Sequence, residues 1–142
     1  MALKATPAAL ALALALAISL EPLAVTEDAR IADGARLAAD PQAGDCGICH
    51  HLPGHDARDQ GTVGPPLAGV GSRLDRATLE ALMTDARALR PGSIMPRYGV
   101  SATAPRVPGV LQGEALLSPS ERAAIVAWLE SLKAPTQATP HG

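Results

Sequence analysis

Cys46-Gly47-Ile48-Cys49-His50 is the stretch on which the reading of this chain turns. Two thiols at this spacing can each add to a vinyl group on one porphyrin edge, and the adjacent imidazole is then held over the ring, where it can bind iron. Other uses of the motif fit less well. A tetrahedral zinc site usually takes four Cys or His ligands, and the chain has no second Cys pair to complete one. A thioredoxin-like redox pair belongs in a βαβ setting, whereas the surrounding pattern is helical. A structural disulfide would leave His50 unexplained. The motif therefore predicts one covalently attached haem c, with thioether bonds at Cys46 and Cys49 and His50 as the proximal iron ligand.

Working outward, the iron's second axial position has five candidates, His51, His55, Met83, Met95 and His141. His51 adjoins the proximal ligand and reaches the opposite face with difficulty. His55 falls in a polar loop, and His141 falls at the end of the chain. Met83 lies on the apolar stripe of a helical segment, where core packing is its ordinary role. Met95 stands in Pro91-Gly92-Ser93-Ile94-Met95-Pro96-Arg97-Tyr98, among turn residues that make poor core material. On the residues alone the choice stays open between a ligand and a loop methionine. Gly64-Pro65-Pro66-Leu67 follows the haem-binding stretch, and a proline carbonyl there, that of Pro65, can accept the proton on the other nitrogen of His50. Arg73 can pair with a haem propionate, although a surface arginine is ordinarily just solvated.

The 142 residues are 47% hydrophobic, yet the aromatics are one Trp, one Tyr and no Phe. Lys and Arg number 12 against 14 Asp and Glu, a net charge of −2 that excludes a strongly basic nucleic-acid footprint. Lys4 followed by an Ala/Leu run to Leu20 reads as a secretory signal peptide, assigned to residues 1–24. Export fits haem attachment, which takes place outside the reducing cytosol. Residues 25–133 read as one domain, and no uninterrupted apolar run reaches the roughly 20 residues that span a bilayer. Residues 134–142 read as a disordered tail.

Three helices are signalled. One spans 26–39, with Thr26 as cap, Glu27 and Asp28 in its first turn, and Ile31, Ala35 and Ala38 on one face. Gly34 within it costs about 1 kcal/mol, which points to another element crossing closely there. A second helix spans about 75–90, with Leu79, Leu82, Met83, Ala86 and Leu89 as its apolar stripe and Pro91-Gly92 at its end. The third opens on Ser118-Pro119-Ser120-Glu121, a capping box with Pro at the first helical position. Ile125, Trp128, Leu129 and Leu132 follow on its buried face. No strand is predicted, so the fold class is all-α. A covalent porphyrin can occupy the volume that the missing Phe residues would otherwise fill.

Taken in order (helix, C-x-x-C-H, G-P-x-L, helix, Met loop, capped C-terminal helix with an aromatic), the chain resembles the class I cytochromes c. Within them it is most similar to the SoxX family, the small monohaem subunits of SoxAX thiosulfate-oxidising complexes. That narrower resemblance rests on Gly61-Thr62-Val63-Gly64-Pro65-Pro66-Leu67-Ala68-Gly69-Val70-Gly71-Ser72-Arg73, on Ile94-Met95-Pro96-Arg97-Tyr98, and on Arg106-Val107, Gly113 and Leu116-Leu117-Ser118. It implies three to four short helices around one haem, His50 and Met95 as axial ligands, and a crossing of the terminal helices at Gly34 and Trp128. The function it implies is electron transfer within a periplasmic complex, not the catalytic site itself. The implied partners are a SoxA-like haem subunit, which holds the reacting cysteine, the carrier protein SoxY indirectly, and a downstream electron acceptor. Both cysteines of this chain are used by the haem motif, which agrees with that division. The long 100–117 segment, with Val107, Val110 and Leu111, is a candidate interface. A free soluble electron carrier would have the same haem site and no stable partner.

Overall fold

Thr26 opens the first helix as the sequence requires: its hydroxyl accepts the Ala29 N–H at 3.2 Å, and helix α1 runs Glu27–Ala39. The computed structural model describes residues 25–100 and 113–134. The expected leader at 1–24, most of the expected tail and much of the 100–117 segment lie outside the described residues. Two 3₁₀ turns follow, Cys46–Ile48 and Ala57–Asp59, and then the short helix α2, Val70–Arg73. Helix α3 is Arg76–Leu89, capped by the Asp75 carboxylate on the Thr78 N–H at 2.8 Å. Helix α4 is Pro119–Ser131. Its capping box is complete, because Ser118 Oγ accepts from Glu121 N and Glu121 Oε2 accepts from Ser118 N at 2.7 Å. Those hydrogen bonds hold the Glu121 carboxyl below its ordinary value. Among the described residues there are no strands, so the all-α expectation is met.

The most extensive contact between elements is α1 against α4. Gly34 is the reason the two helices can approach so closely. A Cβ there would run into the Ala124 carbonyl group and lie 2.9 Å from the Trp128 Cβ. The crossing therefore sits at Gly34 and Trp128, where the resemblance put it. α3 and α2 pack on other sides of α4, and six consecutive residues, Ala124–Leu129, are buried as a result. A single amphipathic face is too narrow a description of this helix.

Two elements depart from expectation. α2 falls within Gly69-Val70-Gly71-Ser72-Arg73, which reads as loop. It is held from outside: the Gly71 N–H donates to the Leu132 carbonyl at 3.0 Å, and Lys133 Nζ donates to the Gly71 carbonyl at 2.8 Å. α3 is also broken. Asp85 has φ −154° and ψ 99°, outside the helical region, and the final turn restarts beyond it. Leu79, Met83 and Ala86 are buried as their spacing predicts, whereas Leu82 is only half-buried and Leu89, the last residue of the helix, is 50% exposed. No described helix is long and apolar enough to cross a membrane.

Candidate haem attachment site

Asp45 leads the chain into the site with φ +44°, an uncommon left-handed conformation for a residue other than glycine. It follows Gly44, whose N–H donates to the Leu37 carbonyl at 3.0 Å, so the end of α1 is tied directly to the motif. The 3₁₀ turn Cys46–Ile48 and the His50 N–H to Cys46 carbonyl bond of 2.9 Å then bring both sulfurs and the imidazole onto one turn of chain. Cys46 is buried, Cys49 is half-buried, and no disulfide joins them. Burial, followed by the nearby Asp45 charge, pushes the Cys46 thiol up to about 11. That pocket disfavours a thiolate and suits a neutral thioether. Among the described residues no three His, Cys, Asp or Glu side chains converge as a metal-binding group.

His50 Nδ1 lies 2.7 Å from the Pro65 carbonyl oxygen. A carbonyl can only accept, so Nδ1 carries the proton and Nε2 keeps its lone pair for a metal. Gly64 lies flat against the same ring: a Cβ on it would stand 2.7 Å from Nε2 and 2.5 Å from Nδ1. The loop that supplies these two residues is zipped onto the haem turn by three backbone bonds. Gly61 N donates to the Gly47 carbonyl at 2.8 Å, Gly64 N to Cys49 at 2.7 Å, and Leu67 N to His51 at 2.9 Å. Arg73 braces the loop from behind, donating to the Ala68 carbonyl at 2.7 Å and the Pro66 carbonyl at 2.8 Å.

Met95 is partly buried and packs against the core cluster that includes Cys46, Leu67 and Tyr98. Its N–H donates to Ser93 Oγ at 3.2 Å. Tyr98 anchors the far end of the Met loop, its hydroxyl donating to the Gly44 carbonyl at 2.6 Å. Burial raises the Tyr98 phenol above its ordinary value. Of the other second-ligand candidates, Met83 is 2% exposed within that same core, His51 is half-buried beside His50, His55 is exposed, and His141 lies outside the described residues. Sequence reasoning had singled out Pro65 but not the zipper behind it, nor the Tyr98–Gly44 bond. The closely spaced Gly61, Gly64 and Gly71 were the visible signal for tight backbone approach.

The profile of the cytochrome c family matches residues 31–133. The chain belongs to the cytochrome c family. The four helices, with the terminal pair crossed, are the class I cytochrome c arrangement, and membership implies a covalently bound haem c. The donor set fits that group: two sulfurs and an imidazole on one turn, the imidazole proton already assigned to Pro65, and a pocket that favours uncharged sulfur at Cys46. Among solved structures, this cytochrome c is similar to a chain of the crystal structure of SoxXA from P. pantotrophus. Identity is 26% and the TM-score 0.65, over 72% of this chain and 81% of that one. The similarity agrees with the SoxX-like reading. A search of curated proteins gave no significant match.

Proposed function

We propose that this cytochrome is the small haem subunit of a SoxAX-type complex, exported to the periplasm by residues 1–24, which passes electrons and leaves the sulfur chemistry to a SoxA-like partner. In the reaction class that the resemblance implies, thiosulfate is joined to a cysteine thiol of SoxY. The thiol proton is released and two electrons leave for a downstream acceptor. A bound haem c supplies a one-electron site at its iron. Cys46 and Cys49 would hold the group through thioethers, and His50 Nε2 and Met95 would bind its iron. His/Met ligation raises the potential and keeps small ligands off the iron, both of which suit electron relay. Pro65 fixes the plane of the His50 ring through the Nδ1 proton, and Arg73 holds the Pro65 loop from behind, with its remaining N–H capacity available to a propionate.

The observation that carries this reading is the 2.7 Å bond from His50 to Pro65, which leaves an iron-binding nitrogen free within a chain similar to part of SoxXA. Ile48, Val63 and Ile94, which adjoin Cys49, Gly64 and Met95 in the chain, expose apolar surface that would pack against a bound haem.

A pull-down from the native source, followed by a haem stain, tests haem content and partnership together. The expected result is a stained band at the size of this chain co-eluting with a second haem protein. A chain that always elutes alone, in cells whose thiosulfate oxidation survives its deletion, would be a free carrier. The ligand assignment is tested by the near-infrared Met-to-ferric-iron band, which Met95→Ala should abolish. A band that persists in that variant excludes Met95.

A further inference from the structure

The break in α3 is built around one carboxylate, and that carboxylate reaches the loop carrying Met95. Asp85 Oδ1 accepts the Arg87 N–H at 3.0 Å, which caps the last turn of the helix as it restarts. Its other oxygen, Oδ2, accepts from Arg97 Nε at 3.0 Å, twelve residues on and two beyond Met95. The Asp85 side chain is only 22% exposed, so this pair is better shielded than the solvent-facing pairs of α1. Further bonds follow the same path. Arg87 Nε donates to the Ser93 carbonyl at 3.3 Å, Ser93 Oγ accepts from Met95 N, and Gly99 N donates to the Thr84 carbonyl at 3.0 Å, immediately before the break.

We infer that Asp85 is a positioning residue for the Met95 ligand, holding the Met loop closed through Arg97. The inference rests on the reading of Met95 as an axial ligand. One side chain serves both ends of the loop: it sets the direction in which the chain leaves α3 and ties the chain down again past the methionine. An unbroken helix would carry the chain on past Asp85 and leave Arg97 without this acceptor. The break is therefore part of the means by which Met95 is presented.

The test is imidazole binding to the ferric, haem-loaded protein, because imidazole enters only when Met95 gives way. Arg97→Ala removes the tether and leaves the helix cap intact. Asp85→Asn keeps a capping oxygen while removing the charge. Each is expected to bind imidazole about tenfold more tightly than wild type, the scale of one charge-assisted hydrogen bond. The double variant should gain little over either single one, because both remove the same link. Haem content by pyridine haemochrome confirms that each variant is loaded. Unchanged imidazole affinity, or additive effects in the double variant, overturns the inference. A wild type without the near-infrared Met band, or a Met95→Ala variant that retains it, overturns the ligand reading instead.

Discussion

Replacing Gly34 by Ala should destabilise this protein although it improves the local helix. In an isolated helix the change gains about 1 kcal/mol in propensity. Here the added methyl group would overlap the Ala124 carbonyl of α4 and press on the Trp128 Cβ at 2.9 Å. Backbone cannot rotate away as a side-chain end can, so the cost belongs near the upper end of the overpacking range, about 3 kcal/mol. The balance is a loss of about 2 kcal/mol, equivalent to roughly 8 °C in Tm for a domain of this size. Guanidinium unfolding of the haem-loaded protein, followed by far-UV circular dichroism, reads it as a lower midpoint with an unchanged slope. Gly92→Ala is the internal control. Nothing lies within 4 Å of a Cβ there and its φ is not positive, so it should be neutral or stabilise by up to about 1 kcal/mol. A Gly34→Ala protein as stable as wild type would refute the reasoning, because the close approach of α1 and α4 would then tolerate a side chain.

Gly64→Ala should push the His50 ring off its partner, since the new methyl lies 2.7 Å from Nε2. Proton NMR of the reduced protein would show faster exchange of the His50 Nδ1 proton, and an unmoved resonance would count against the contact. Tyr98→Phe removes the 2.6 Å bond to the Gly44 carbonyl and should cost about 1–2 kcal/mol by leaving a buried acceptor unpaired. The same residue sets an alkaline limit. Its folded-state pKa is raised above the ordinary 10.0, so the native state holds the phenol proton more tightly than the unfolded chain does. Stability should be unaffected by this group below pH 10 and fall as pH rises beyond it, a slope that Tyr98→Phe abolishes in unfolding titrations. A Cys46→Ala/Cys49→Ala chain, which cannot attach haem, should show no cooperative thermal transition, because two aromatics and four short helices leave too little apolar volume without the porphyrin. A sharp transition in that variant would show the composition reading to be wrong.

What could be read in the sequence was what is settled locally. Thr26, Ser118 and Glu121 cap their helices through bonds spanning three residues, and such bonds depend on little beyond residue type. The Gly34 crossing was legible because a glycine inside an otherwise good helix needs an outside reason. The Pro65 acceptor was legible from chemistry, since a haem-ligating histidine needs its second nitrogen held. The rest is set from a distance. α2 exists because Leu132 and Lys133 supply partners for Gly71, more than sixty residues away. The break at Asp85 is invisible in the periodicity, because Leu82, Met83, Ala86 and Leu89 continue the helical spacing straight through it. Its partner Arg97 is twelve residues on, and nothing in either neighbourhood signals the pairing. Arg73 reads in the sequence as a surface arginine with a propionate as one candidate partner. The structure shows that two of its donors already serve the Pro66 and Ala68 carbonyls, a connection through backbone groups that every sequence contains.

The contact between α1 and α4 also imposes an order of events. Residues 46–50 sit just behind α1, and that helix finds its main support in α4, the last of the described helices. A chain that emerges from its amino end presents Cys46 and Cys49 long before α4 exists to be packed against. Until then α1, at thirteen residues, is too short to be stable alone, and the sulfur that ends buried in the finished protein stays open to reagents. Attachment therefore precedes the crossing: the exported chain offers both sulfurs while α1 and α4 are still apart, and the packing of α4 on α1 around the attached haem then encloses Cys46.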